Sequence, residues 1–290
     1  MIVYLNGQFV AKDEARISPD DRGFLFADGV YEVIRSYEGR LFRTREHLER
    51  LVRSLREIGM EASLAGNVGV VAEDLIRRNK LEQGGALVYI QITRGAAPRK
   101  HAFPEAGTPC TVYAAASPFA APEEEQKDGV KIILVPDIRW ARCDIKTVAL
   151  VPNVLASQRA KDNGAREAVF VRDGVVTEGT HTNFCAVFDG TLWTHPKTNH
   201  ILAGITRDAV LGLCGERGIP VLEAPVFQAH LTRAQEILLV GTTVEVTPVV
   251  EVDGWQVGDG KPGPITRKLQ RAFSEMVTGW KGAAKRHKKH

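Results

Sequence analysis

Apolar and polar residues alternate over short runs in the first 115 positions of the chain, a pattern typical of β-strands with one buried face. Two pairs of such runs flank a dipeptide that ends in glycine, Asn6-Gly7 and Glu38-Gly39. Glycine at that place favours a two-residue hairpin turn. The pattern predicts hairpins from residues 2–5 with 8–10 and from residues 30–37 with 40–42, followed by strands over 86–93 and 109–115.

Between these strands the spacing of apolar residues changes to three and four, which is typical of an amphipathic helix. The first such helix is predicted to begin after Thr44, a suitable N-cap, and to end near Gly59. Arg50 lies off its apolar face, so helix geometry alone predicts a solvated side chain. A second helix is predicted over residues 68–80.

The second half of the chain contains more strand-like runs, and aspartate-glycine pairs separate several of them. The predicted strands cover residues 130–135, 168–171, 175–177, 184–188, 191–194, 236–240 and 246–252. Helices are predicted over residues 152–163, 205–217 and 264–277. Hairpins mixed with helices, without regular strand–helix alternation, favour an α+β fold over a doubly wound parallel sheet.

Residues 117–126 separate the two halves. The segment contains two prolines and three consecutive glutamates, and its apolar residues follow neither period. Such a composition is typical of an interdomain linker. We therefore predict a small N-terminal domain over residues 1–116, a linker over 117–126 and a larger domain over 127–290.

The composition is that of a globular protein, with 44% hydrophobic and 25% charged residues among 290. No apolar run approaches the roughly 20 residues that span a bilayer, so membrane association is not expected. Five positive charges lie within the last ten residues: Lys281, Lys285, Arg286, Lys288 and Lys289. Removing these five from the net charge of +3 leaves −2, and short basic tails are usually solvated, so nucleic-acid binding is not expected.

The four cysteines at positions 110, 143, 185 and 214 are widely spaced and form no CxxC pair. This spacing favours reduced thiols over a disulfide framework or a zinc site, and no metal site is predicted. The amino-terminal residues contain no basic segment followed by an apolar one, so no secretory signal is expected. These features favour a cytoplasmic protein.

Two residues are candidates for chemistry because of their surroundings. Lys146 lies in the otherwise apolar or small run 145–151. Burial lowers the pKa of a lysine, and a neutral amine attacks carbonyl groups to form a Schiff base. The alternative, a strand-edge lysine with its ammonium in water, is favoured by composition alone. Glu178 ends a predicted strand before the small polar run 179–183, where its carboxylate is directed either into a cleft or into solvent.

Two hydroxyl-rich segments are candidates for binding a phosphate group. Gly204, Ile205 and Thr206 open a predicted helix, and the first N–H groups of a helix bind anions well. Thr242 and Thr243 follow a predicted strand in a bend. An N-capping threonine and an ordinary turn are the commoner explanations, so neither segment is specific by itself.

The amino-acid sequences of four segments, and their order along the chain, are more specific indications of function. Residues 142–146 and 152–156, Arg-Cys-Asp-Ile-Lys and Pro-Asn-Val-Leu-Ala, resemble the cofactor-lysine segment of the fold-type IV pyridoxal-phosphate (PLP) enzymes. Residues 174–183 are similar to that family's pyridine-nitrogen loop, residues 202–207 to its phosphate-binding helix start, and residues 20–32 to its amino-terminal signature. The resemblance extends over about residues 2–275.

This resemblance implies a two-domain enzyme with PLP bound between the domains. Lys146 would hold the cofactor as a Schiff base and move the proton, and Glu178 would pair with the ring nitrogen. The residues implied to bind the cofactor phosphate are Arg50, Ile205, Thr206 and Thr243 or Thr242. In this setting the off-core face of Arg50 would be directed toward the cofactor.

Residues 93–104 closely resemble the substrate-carboxylate segment of D-amino-acid transaminases. By this resemblance Arg99 would bind the α-carboxylate through two parallel hydrogen bonds, with His101 and Tyr31 beside it. Thr182 would complete the substrate site. In those enzymes the arginine and histidine come from the partner subunit, so a homodimer is implied. The implied reaction moves an amino group from a D-amino acid such as D-alanine to a 2-oxo acid such as 2-oxoglutarate or pyruvate.

Other activities remain alternatives within the same fold: a branched-chain transaminase, an (R)-amine transaminase and an aminodeoxychorismate lyase. The arginine-x-histidine-x-phenylalanine-proline run of residues 99–104 argues against them. A PLP-fold protein that serves only as a binding or structural module is an alternative of another class, and Lys146 with Glu178 argues against it. His181 departs from the family pattern, which usually has a small hydroxyl residue there, and this leaves the local hydrogen bonding and the side-chain preference open.

Overall fold

The computed structural model describes residues 1–287, with side chains described up to residue 279. The chain forms two compact units, one of Met1–Ala120 with Ile145–Ala149, the other of residues 121–144 with the chain from residue 150 onward. The domain limits predicted from the sequence put Ile145–Ala149 in the second domain, whereas the structure assigns this segment to the first unit. The domain limits given by the sequence stay a prediction.

The first unit is built on a six-stranded antiparallel sheet. Its strands are β1 (Ile2–Leu5), β2 (Gln8–Ala11), β3 (Gly29–Tyr37), β4 (Arg40–Leu41), β5 (Gly85–Thr93) and β6 (Thr111–Pro118). They lie in the order β2-β1-β6-β5-β3-β4. The α-helices of this unit are α1 (Arg22–Phe26), α2 (Thr44–Glu57) and α3 (Val68–Arg78). Both predicted hairpins are confirmed as β1–β2 and β3–β4.

The two faces of this sheet differ because side chains alternate along each strand. One face carries aliphatic residues such as Val30, Ile34 and Ile90, which are fully buried in a core with the apolar side chains of α2 and α3. The opposite face carries Tyr31 and Tyr89, half-buried, whose stacked ring centroids lie 5.8 Å apart. One face of the sheet therefore packs into the hydrophobic core, and the other carries half-buried aromatic side chains that are available to a binding site.

The second unit contains a mixed sheet of ten strands. These are β7 (Val130–Pro136), β8 (Glu167–Arg172), β9 (Val175–Gly179), β10 (Asn183–Phe188), β11 (Thr191–Thr194), β12 (Val221–Glu223), β13 (Val226–Phe227), β14 (Glu236–Gly241), β15 (Glu245–Val252) and β16 (Trp255–Gln256). Most neighbours are antiparallel, whereas β7 is parallel to β8 and to β15, and β11 is parallel to β12. Buried valine, leucine and phenylalanine side chains of β8, β10 and β14 supply the core.

The α-helices of this unit are α4 (Glu123–Asp128), α5 (Val151–Asp162), α6 (Ile205–Glu216) and α7 (Pro264–His287). Helices and largely antiparallel strands are thus mixed along the chain, and the α+β prediction is confirmed. Within residues 1–287, no helix is long and apolar enough to cross a membrane.

Dipeptides ending in glycine close the predicted hairpins as expected. Asn6-Gly7, Glu38-Gly39, Asp173-Gly174, Asp189-Gly190 and Asp253-Gly254 each have positive φ at both residues. Two consecutive positive φ angles match the twist of the flanking strands, and glycine adopts the second one without strain. The five turns therefore connect β1–β2, β3–β4, β8–β9, β10–β11 and β15–β16 directly.

The structure corrects several details of the sequence prediction. The N-cap of α2 is Arg43 in a left-handed conformation, so the assignment of Thr44 as N-cap is wrong. The predicted linker contains the end of β6 and the first four residues of α4, a helix that its three glutamates begin. The backbone of α7 continues ten residues past Val277 to His287, whereas Lys288 and Lys289 of the basic tail lie outside the described residues.

Candidate active site

Lys146 belongs to a short extended segment that pairs with β3. The Tyr31 N–H donates to the Lys146 carbonyl over 3.0 Å, and the Val148 N–H donates to the Gly29 carbonyl over 3.1 Å. Lys146 is half-buried, and its Nζ lies 4.2 Å from the centroid of the Tyr31 ring. An ammonium over an aromatic face is attracted by the ring quadrupole. Tyr31 therefore holds the amine at a defined place.

Arg50 on α2 is buried, with only 9% of its surface exposed, so the solvated side chain predicted from helix geometry is wrong. Its Nε and Nη2 donate to the two carboxylate oxygens of Glu32 on β3, over 2.7 and 2.9 Å. His47 on the same helix contacts this carboxylate through Nδ1 at 2.8 Å. Burial alone would raise the pKa of Glu32, but Arg50 and His47 hold it well below its usual value.

The ion pair explains why α2 buries an arginine beside its apolar face. Glu32 is fully buried, and a buried carboxylate without partners would be strongly destabilising. One turn after Arg50, the Oγ of Ser54 accepts the Lys146 N–H over 3.3 Å. The same helix thus fixes Arg50 and the backbone of Lys146.

Glu178 ends β9 with its carboxylate buried and hydrogen-bonded from several sides. Arg139 Nη1 donates to Oε1 over 2.6 Å, while the Leu202 N–H and Asn183 Nδ2 donate to Oε2 over 3.0 and 3.2 Å. Burial raises the pKa of Glu178 to about 7, against the opposing effect of Arg139. The predicted solvent-exposed alternative for this carboxylate is therefore wrong, since 5% of the residue is exposed.

Arg139 is a site residue that the sequence analysis missed. Its Nε and Nη2 donate to the two oxygens of Asp137 over 2.9 and 3.0 Å, and its guanidinium lies 4.2 Å from the centroid of the Phe170 ring. Burial alone would lower the pKa of Arg139, but Asp137 and Glu178 raise it, so the side chain is charged. The available sequence indication is that Asp137 and Arg139 lie within four residues of the end of a predicted buried strand.

Asn183 connects Glu178 to the beginning of α6. Its Nδ2 also donates to the Leu202 carbonyl over 2.9 Å. A Cβ at Gly204 would lie 2.0 Å from the Asn183 Oδ1, so glycine is what lets α6 begin this close to Asn183. Asn183 itself pairs with Glu178 on β9 and with Val240 on β14. These contacts gather the ends of three strands and one helix at the same edge of the sheet.

The two segments predicted to bind phosphate lie at that edge. Ile205 and Thr206 are buried in the first turn of α6, where the N–H groups of a helix have no acceptors within the helix. Thr242 and Thr243 are half-buried in the turn between β14 and β15. The second unit thus places Glu178 and these four residues at the same end of its sheet.

Residues 180–182 form a loop around the buried carboxylate of Glu167. The N–H and Oγ1 of Thr180 donate to Oε1 over 3.2 and 2.5 Å, and Thr182 Oγ1 donates to Oε2 over 3.2 Å. The Nδ1 of His181 lies 3.0 Å from Oε2. Burial alone would raise the pKa of Glu167, but His181 and Thr180 hold it below its usual value. His181 thus adds an imidazole–carboxylate contact to this loop.

Arg99 and His101 are exposed and belong to the loop that follows β5. The Arg99 guanidinium lies 5.2 Å from the centroid of the Phe26 ring, and the His101 ring lies 5.5 Å from it. Within one chain, Arg99 and His101 therefore group around Phe26, and Tyr31 groups with Lys146.

Comparison with known proteins gives a consistent result. The family model described as amino-transferase class IV matches residues 29–252. The D-alanine aminotransferase of Staphylococcus haemolyticus is 42% identical over 276 residues, which cover 95% of this chain and 97% of that protein. The D-alanine aminotransferase of Bacillus licheniformis is 42% identical over 278 residues, covering 96% and 97%.

Solved structures with this fold include branched-chain enzymes. The Escherichia coli branched-chain amino acid aminotransferase has a TM-score of 0.87 at 30% identity and covers 96% of this chain and 95% of its own. The T.th. branched-chain amino acid aminotransferase with pyridoxamine 5'-phosphate has a TM-score of 0.86 at 28% identity, covering 96% and 94%.

Proposed function

The chain belongs to the class IV aminotransferase family, and on that premise we propose that it transfers an amino group between a D-amino acid and a 2-oxo acid. The observation that carries this proposal is the identity of 42% to D-alanine aminotransferases over nearly the whole chain. The resemblance to fold-type IV PLP enzymes seen in the sequence is thereby confirmed. D-Alanine as donor and 2-oxoglutarate or pyruvate as acceptor are the expected substrates.

The cofactor of this activity is pyridoxal 5'-phosphate, and the residues present fit it. A phosphate dianion needs oriented donors, which the first turn of α6 at Ile205 and Thr206 and the hydroxyls of Thr242 and Thr243 supply. A protonated ring nitrogen needs an anionic partner in a low-dielectric place, which Glu178 supplies. We propose that Arg50 also contacts the phosphate while its Nε and Nη2 remain bonded to Glu32.

When bound, PLP accepts the electron pair released as the substrate Cα proton leaves. Lys146 would hold the cofactor covalently, and its amine, once free, would take the proton from the substrate Cα and donate it again. Glu178 would keep a proton on the ring nitrogen. Arg139 and Asn183 fix the Glu178 carboxylate so that it faces one way throughout the reaction.

Arg99 and His101 bind the substrate carboxylate of the partner subunit in this proposal. Their exposure supports it, since both side chains are exposed although they pack against Phe26 of their own chain. Apolar surface elsewhere supports a homodimer. In the first unit, Phe24 is 77% exposed beside a cavity of about 540 Å³ that Ile17 and Tyr113 also line. In the second unit, α5 exposes the adjacent side chains Val151, Val154 and Leu155.

We also propose a cytoplasmic location. Cys110, Cys143, Cys185 and Cys214 are all free thiols, three of them buried, which suits a reducing compartment. Nucleic acid and membrane partners have no part in this proposal, and no metal is needed for the reaction.

A substrate panel tests the proposal. The purified holoenzyme is assayed with D-alanine, D-glutamate, L-leucine and an (R)-amine, each with 2-oxoglutarate or pyruvate. We expect turnover of the D-amino acids and little with L-leucine. A preference for L-leucine would instead support the branched-chain alternative, which the fold likeness to branched-chain enzymes also fits. Absence of any turnover with a correctly bound cofactor would support a non-catalytic module.

A further inference from the structure

The loop that carries Arg99 is held through its backbone by a single buried side chain. Three consecutive carbonyls of this loop converge on the guanidinium of Arg22. Nη1 donates to the Lys100 carbonyl over 2.6 Å and to the Ala102 carbonyl over 3.3 Å, and Nη2 donates to the His101 carbonyl over 3.3 Å. The side chains of residues 99–103 remain exposed, so these backbone contacts supply polar anchoring that their surface packing does not.

The Arg22 side chain is itself held by a buried ion pair with Asp28. Only 3% of its surface is exposed, and its Nε donates to Asp28 Oδ2 over 2.8 Å. Arg94 binds the same carboxylate with Nε and Nη2 over 2.8 and 2.9 Å. Arg94 also donates to the Ile58 carbonyl over 2.6 Å and to the Gly59 carbonyl over 3.2 Å, after the end of α2. The loop is thus connected through Arg22, Asp28 and Arg94 to the helical framework.

The short helix α1, which begins with Arg22, is anchored as well. Its N-cap Asp21 accepts the Gly23 N–H over 2.8 Å through one carboxylate oxygen. The other oxygen accepts the hydroxyls of Thr93 and Thr111 over 3.0 and 2.6 Å. Since these threonines lie on β5 and β6, the sheet fixes the position of Arg22.

One aromatic ring links Arg22 to the side chains of the loop. The Phe26 centroid lies 4.9 Å from the Arg22 guanidinium carbon and 5.2 Å from that of Arg99. The His101 ring packs against the same ring at 5.5 Å. Phe26 therefore contacts Arg22, which bonds to the loop backbone, and also Arg99 and His101, the two residues expected to bind substrate.

We propose that Arg22, oriented by Asp28, is the positioning residue for the substrate-carboxylate loop. This inference rests on the proposed function, in which Arg99 binds the carboxylate. A planar guanidinium with five donors satisfies three converging carbonyls and one carboxylate together, whereas an ammonium is a point charge with three donors. Bidentate recognition depends on placement, so a shift of the loop weakens carboxylate binding and leaves cofactor chemistry intact.

The test is Arg22→Lys in the holoenzyme. We expect KM for D-alanine to rise about tenfold or more, with kcat and the visible spectrum of the bound cofactor little changed. Arg77→Lys is the matched control, because Arg77 lies exposed on α3 and pairs with Asp74, and it should leave all three measurements unchanged. Parallel loss of kcat and cofactor binding in Arg22→Lys would show a general structural role and overturn the proposal.

A double-mutant cycle separates this inference from the proposed function. If Arg22 acts through Arg99, Arg22→Lys should cause little further loss in an Arg99→Ala background. Additive losses would overturn the positioning role. Arg99→Ala with unchanged D-alanine kinetics would instead overturn the proposed role of Arg99, whatever Arg22→Lys does.

A second variant covers the case in which Arg22→Lys does not fold. Phe26→Leu keeps an apolar side chain at a half-buried position but removes the ring that Arg22, Arg99 and His101 share. It should raise KM for D-alanine in the same direction and by a smaller factor. An unchanged KM in this variant would contradict the proposal.

Discussion

At the scale of single residues, the burial of Glu178 predicts an unusual pH dependence. Its pKa is raised from 4.5 to about 7 in the folded protein, so the folded state holds a proton that the unfolded chain releases. The free energy of unfolding of the cofactor-free protein should therefore decrease as pH rises from about 4.5 to about 7. The contribution of this group is on the order of 3 kcal/mol at most.

Denaturant unfolding of the cofactor-free protein at pH 5 and pH 7.5 measures this effect against Glu178→Gln, whose side chain stays neutral. We expect the wild type to lose stability across the interval and the variant to lose less. Equal pH dependence in both proteins would mean that Arg139 keeps Glu178 ionised and that the predicted sign is wrong.

The same variant tests the role of Glu178 in the reaction. Glu178→Gln should retain PLP, because the phosphate contacts and Lys146 are untouched, but it should lose most of its activity. An amide cannot hold a proton on the ring nitrogen as a carboxylate does. Turnover of D-alanine at the wild-type rate would contradict this role.

Lys146 is expected to be essential for transamination. Lys146→Ala removes both the covalent attachment and the base that moves the Cα proton, so activity should fall below detection. Borohydride reduction of the wild-type holoenzyme followed by peptide mapping should place the cofactor on Lys146. A label on another lysine would refute the assignment.

At the scale of elements, the sequence predicts the strands and helices that local chemistry specifies. Hairpins closed by Asn6-Gly7 and Asp189-Gly190 are found where they are expected, because both residues of such turns adopt positive φ. The elements that were missed are short. α1 has five residues and β13 two, so neither shows a full hydrophobic period. α4 follows prolines that suggest a linker, yet its three glutamates stabilise a helix start.

The loop of residues 180–182 gives a prediction at this scale. Glu167→Gln replaces one acceptor oxygen by an NH₂ group that faces hydroxyl and imidazole partners, so the loop loses hydrogen bonds in a buried place. We expect a loss of about 1–3 kcal/mol in the free energy of unfolding and weaker PLP binding, since the loop adjoins Glu178.

Glu125→Gln is the matched control for that variant. Glu125 accepts Arg166 over 2.8 Å at the exposed surface of the same unit, so its loss should cost about 1 kcal/mol or less. Equal destabilisation by the two substitutions would argue that the Glu167 contacts do not order the loop.

At the scale of the whole molecule, the residues proposed to act on the cofactor could be named from the sequence, and the residues that support them could not. Lys146, Glu178 and Thr206 lie in segments whose sequences resemble the motifs of a known family. Glu32 ends the segment 20–32 that resembles the family, but the sequence predicts no role for it or for Arg139, because their roles depend on partners 18 and 39 positions away along the chain. Spatial pairing of this kind has no local signature in one sequence, and the burial of Arg50 was missed for the same reason.

The proposed sharing of a site between subunits has a direct test. Lys146→Ala and Arg99→Ala are each expected to be poorly active as homodimers at low D-alanine. In a purified heterodimer of the two, one site combines an intact Lys146 from one chain with an intact Arg99 from its partner. If Arg99 acts across the interface, this heterodimer should regain about half of the wild-type activity per dimer.

The outcome separates the two arrangements without ambiguity. If Arg99 served its own chain, every site in the heterodimer would lack either the lysine or the arginine, and activity would stay at the level of the parents. Two differently tagged chains, co-expressed and purified by both tags, supply the heterodimer. A heterodimer of Lys146→Ala with the wild-type chain, which keeps one complete site under either arrangement, is the control for half activity. Recovery to that level would establish that the exposed loop of residues 99–101 completes the site of the partner.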